Sequence, residues 1–144
     1  MTALGNPALR QLAVRALEVR IGAVASPEAL AAAARRAYDD LAQVAAPLIG
    51  HVGIDALTGR AVHLARQEHP WLLPAGEAEF ADGSFAPVVR SLEQRDPVVA
   101  VEAVGAVFAL LTGLLGTFIG DALTASLLKK AWPDAFADTS TEET

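Results

Sequence analysis

DPVVAVEAVGAVFALLTGLLGTFIGDALTASLLKKAW, Asp96–Trp132, is the stretch whose reading decides the fold. Between Glu102 and Asp121 it carries 18 residues without a formal charge. Asp96-Pro97 opens it as a helix start. The carboxylate accepts first-turn N–H groups, and proline is pre-set for the first helical position. Beyond Val98 nearly every position is apolar, which marks a helix buried on all sides in protein or in lipid. About 18 uncharged residues is the lower edge of a membrane span, so length does not choose between the two.

Small residues recur four apart in this run: Gly105, Ala109 and Gly113 form one row, and Thr112, Gly116 and Gly120 another. Each glycine inside a helix costs roughly 1 kcal/mol relative to alanine. Four of them imply a groove in which another helix approaches closely. Gly113, Gly116 and Gly120 are the expected crossing point of the same helix from two copies in a homodimer. The reading is of one continuous or kinked helix, with a break at Gly120-Asp121 as the alternative.

Working outward, the stretches before Asp96 supply amphipathic helices. Asn6-Pro7 opens a first helix to about Ile21, with Leu9, Leu12, Ala16, Val19 and Ala23 on one face. Ser26-Pro27 opens a second. Its Leu30, Ala34, Ala37, Leu41, Val44 and Leu48 follow a 4-3-4-3-4 spacing, and Gly50 closes it. Arg35–Asp39 and Arg36–Asp40 are i,i+4 pairs on its solvent side. Pro47 is placed to bend its last turn. A third helix spans Gly53 to Glu68, with Ile54, Leu57, Ala61 and Leu64 inward, and His69-Pro70 stops it.

Residues 70–83, PWLLPAGEAEFADG, form the one long irregular segment. Trp71, Leu72 and Phe80 there either lid the core or dock a partner. A short helix follows, capped by Ser84 and running from Phe85 to about Arg95, with Val88, Val89 and Leu92 inward. The tail after Trp132-Pro133 carries four acids and no base, the composition of a disordered segment. The expected fold class is thus all-α: a five- or six-helix bundle around a long apolar, Gly-rich central helix. Residues 1–133 form the single domain and residues 134–144 the acidic tail.

The composition restricts the function. The net charge is −6, concentrated in the second half: residues 1–70 sum to +1 and residues 71–144 to −7. Nucleic acid needs a basic face, which this balance does not offer. With no cysteine, thiolate chemistry and Cys-ligated metals are excluded, and a reducing compartment, the cytoplasm, is expected. The first residues lack the basic-then-apolar pattern of a secretory signal. His51, His63 and His69 have no metal-ligand spacing, and no haem ligand is specified among them. Neither a nucleophile elbow nor a phosphate loop is present. Glu102 and Asp121, about 28 Å apart along one straight helix, cannot share a substrate. Glu102 is expected to pair with Arg90 or Arg95, or to sit as a first-turn carboxylate.

No catalytic residue, cofactor or metal is therefore assigned. The expected function is a non-enzymatic, homo-oligomeric cytoplasmic interaction module, a regulatory or signalling adaptor, that binds itself and another protein. Its expected contact residues are Gly105, Ala109, Gly113, Gly116, Gly120, Trp71, Leu72 and Phe80. The alternatives are a membrane-associated protein inserting residues 98–120, and a small-ligand sensor with a cavity between helices.

Overall fold

The structure, a computed structural model, describes residues 7–21, 26–72 and 86–133. Phe80, the Ser84 cap, residues 73–83 and the acidic tail lie outside the described residues. The described chain is all-α, with five helices and no strand. They are α1 (Pro7–Ile21), α2 (Pro27–Ala65), α3 (Ala86–Leu92), α4 (Pro97–Ile119) and α5 (Asp121–Ala131), with a 3-10 turn at Pro70–Leu72.

The proline-led starts form as the sequence dictates. The Ala29 N–H donates to Ser26 Oγ at 3.0 Å ahead of α2. The Val98 N–H donates to Asp96 Oδ1 at 2.9 Å ahead of α4. Each replaces a partner that the first turn lacks.

Gly50 divides α2, its φ of 80° and ψ of 161° lying outside the helical region. The Thr58 hydroxyl lies 3.2 Å from Tyr38 Oη. In a straight helix, residues 20 apart are separated by about 30 Å. The chain therefore reverses at Gly50, and the expected second and third helices are the two arms of a hairpin. The second arm ends at Ala65 instead of Glu68, and residues 66–68 form turns.

The long apolar helix also breaks, which corrects the continuous reading. Gly120 has φ 97° and ψ 151°, so α4 stops and α5 begins one residue later. A positive φ costs glycine nothing and any residue with a Cβ something, so the glycine fixes the corner. Phe108 and Trp132 meet with ring centroids 5.4 Å apart. Because they are 24 residues apart, α5 must fold back along α4.

The core gathers Leu17 of α1, Leu30, Leu41, Ile54 and Val62 of α2, Val88 and Leu92 of α3, and Val104, Phe108, Leu111 and Leu115 of α4. Trp132 is wholly buried, and its Nε1–H donates 3.0 Å to the Ala37 carbonyl. Ala33, Ala34 and Ala37 of α2 are themselves all buried.

Candidate functional site

The expected contact residues divide by burial. Gly105, Ala109 and Gly113 are buried in α4. A Cβ on Gly105 would stand 3.1 Å from Val14 Cγ2 and 3.5 Å from Arg10 Cγ. The close approach expected at this glycine is made by α1 of the same chain. Gly116 is half-buried, and a Cβ there would meet Asp121 Oδ1 at 2.8 Å, across the corner into α5. Gly120 is exposed, and its role is the corner itself.

Leu72 is wholly buried and Trp71 half-buried against the core. The rim of the Trp71 ring is held by polar neighbours. His69 meets it edge-on at 6.0 Å, and the Arg95 guanidinium stands 4.8 Å from its centroid. The Arg95 cation thus lies over the indole face. Glu102 is exposed on α4 and remains solvated.

The buried hydroxyls of Thr58, Thr112 and Thr124 each bond a backbone carbonyl four residues back. Thr112 donates to the carbonyls of Phe108 and Ala109 (2.9 and 3.1 Å), and Thr124 donates to that of Gly120 (2.8 Å). Thr58 donates to Ile54 at 2.8 Å. Burial pushes the Tyr38 phenol above its ordinary pKa. The Thr58 hydrogen bond works against that rise, while Asp55 and Asp39 add to it. Arg66 Nε is buried without a hydrogen-bond partner, and nothing in the structure accounts for it.

Among the described residues, no three His, Cys, Asp or Glu side chains lie close enough to hold a metal ion. An open groove of about 610 Å³ runs along one face of α1, lined by Arg10, Gln11, Val14, Arg15 and Glu18. By length and composition alone α4 matches a membrane span, and so does α2 if its reversal at Gly50 is left aside. In α4 the most apolar window has a mean hydropathy of 2.3 and is 67% buried in the chain. In α2 it has 1.3 and is 22% buried.

The large apolar side chains left in solvent cluster by element end. Leu48 (51% exposed) and Val52 (83%) flank Gly50; Phe118 (65%) and Leu123 (42%) flank Gly120; Val98 and Val99 open α4. The sequence reading missed this arrangement and placed Leu48 inward. A usable clue was the absence of formal charge from Leu41 to Ile54, around the Gly50 helix end. The chain matches no family model, no curated protein and no solved structure.

Proposed function

We propose that the chain is a non-enzymatic helical interaction module, a bundle gathered on α4, that associates with itself in the cytoplasm and serves as a regulatory or signalling adaptor. The observation that carries this reading is where its polar and apolar groups fall. Three buried threonine hydroxyls bond back to carbonyls four residues earlier, while Val52 and Phe118 stand 83% and 65% exposed. Large apolar side chains held in water at helix corners are what a contact surface needs. The absence of cysteine accords with a reducing compartment.

The apolarity of α4 supports a second reading, membrane association through residues 98–120. Against it, α4 spends most of that face on its own chain, with Val104, Phe108 and Leu111 wholly buried. Fractionation followed by sedimentation tests both. The module reading expects a protein that purifies without detergent and shows a concentration-dependent dimer. Recovery solely from membranes would hand the function to the second reading.

A further inference from the structure

The two glycine corners lie at the same end of the molecule. Ala37 precedes Gly50 by 13 residues, about 20 Å of helix, and Phe108 precedes Gly120 by 12, about 18 Å. Trp132 touches both Ala37, through its Nε1–H, and Phe108, through its ring. The two glycines are therefore about equally far from one level of the bundle. Arg95 decides on which side. Its guanidinium covers Trp71, which follows the second arm of α2 at the end remote from Gly50. Thus α4, beginning at Pro97, starts remote from Gly50 and runs toward it.

We infer that this end, carrying Leu48 and Val52 on one corner and Phe118 and Leu123 on the other, is the surface on which a second copy of this chain seats. The inference rests on the self-association proposed above and names its surface. Charge argues for a second copy. The chain carries −6, so two copies repel over most of their surface. Residues 41–54 and 103–120 carry no formal charge, and both corners lie within or at the edge of these stretches. Two copies approach there with the least like-charge cost.

The end is also self-complementary. A two-fold axis between the corners lays the Gly50 corner of one copy on the Gly120 corner of the other. Under that two-fold the exposed His51 beside one corner and the exposed Asp121 beside the other are available to pair across the interface. A lipid surface fits less well. No Lys or Arg lies between Arg36 and Arg60 to meet anionic headgroups. The exposed carboxylate of Asp121 at the Gly120 corner finds partners in water or protein, and not in hydrocarbon. Four side chains supply roughly half of the ~800 Å² per partner of a standard interface, so the dimer is weak and reversible.

Sedimentation velocity over a concentration series tests this on the full chain, comparing wild type with Val52→Glu, Phe118→Glu and the control Val98→Glu. All three positions are exposed (83%, 65% and 71%), and thermal melting by circular dichroism verifies the fold. Val52→Ser and Leu123→Ser serve as milder versions. The expected result is a wild-type monomer–dimer equilibrium, weakened at least about tenfold by each corner glutamate and unchanged by Val98→Glu. A wild-type dimer that survives Val52→Glu and Phe118→Glu overturns this surface and leaves self-association standing. A wild type that is monomeric throughout overturns both. Flotation with neutral phosphatidylcholine vesicles that is lost in the corner variants assigns the end to lipid and overturns the second copy.

Discussion

Removing the Trp132 side chain should be among the most costly single truncations in this fold. The residue lies one position beyond α5 and is wholly buried. It joins three helices: α5 by sequence, α4 through Phe108 at 5.4 Å, and α2 through the 3.0 Å hydrogen bond to Ala37. An indole buries roughly 150–250 Å², which at about 25 cal/mol per Å² gives an upper estimate of ~4–6 kcal/mol. Truncations of this kind cost about 3–5 kcal/mol. Trp132→Ala should therefore lower stability by about 4 kcal/mol. Trp132→Phe keeps a ring against Phe108 but loses the indole donor and part of the volume, for about 2 kcal/mol. Trp71→Ala is the internal comparison. Trp71 is half-buried and its cation–π contact with Arg95 contributes about 0.5–1 kcal/mol, so its removal should cost about 1–2 kcal/mol. Urea unfolding followed by far-ultraviolet circular dichroism measures all three without using a tryptophan as reporter. A Trp71→Ala loss equal to or above that of Trp132→Ala would refute the assignment of Trp132 as the pin between α5, α4 and α2.

The remaining predictions concern glycines and a phenol. Gly116→Ala should be neutral or stabilising by up to about 1 kcal/mol, because the atom in its way is the far end of the exposed Asp121 side chain. Gly105→Ala should gain nothing or lose stability, because Val14 Cγ2 at 3.1 Å belongs to a stiff β-branched side chain on a packed helix. A larger loss at Gly116 than at Gly105 in thermal melts would overturn this ordering. Tyr38, the one tyrosine, should resist ionisation in the folded protein until above its ordinary range. Its raised folded value means that its contribution is fully present below the unfolded pKa of about 10 and is lost as pH rises through the folded value. Absorbance titration at 295 nm checks this, and a normal phenolate midpoint in folded protein would show Tyr38 to be solvated.

What the sequence disclosed were the features set by local chemistry. Ser26-Pro27 and Asp96-Pro97 announce helix starts because a side-chain acceptor and a fixed φ act within three residues. The inward faces of Leu30, Ala34, Ala37 and Leu41 follow from a period of 3.6, and all four are buried. The stop at Gly50 was also legible, since apolar periodicity lapses there. Gly120 was not. A glycine inside a helix is costly but tolerated, and whether it breaks here follows from how α5 packs back, a tertiary fact. Leu48 kept its place in the 4-3 spacing and still lies 51% exposed, two residues before the arm ends at Gly50.

The glycines of the apolar run divide the same question among separate causes. Small residues four apart suggest one smooth groove, yet they do three different jobs. Gly105 lets α1 approach to van der Waals contact, Gly116 leaves room for Asp121 at the corner, and Gly120 makes the reversal. A pattern of small residues records where a Cβ is unwelcome and not what excludes it. Trp132 shows the converse limit. It follows the last helical turn, where periodicity has nothing more to say. Its hydrogen bond to Ala37 and its ring contact with Phe108 reach 95 and 24 residues back along the chain, beyond any local pattern. Of the two tryptophans, Trp71 lies in the 3-10 turn at Pro70–Leu72 and Trp132 follows the helix that the Gly120 reversal folds back along α4. The corner at Gly120 carries Trp132 back to Ala37 and Phe108, so the place of this anchor depends on the break that the sequence offered only as an alternative.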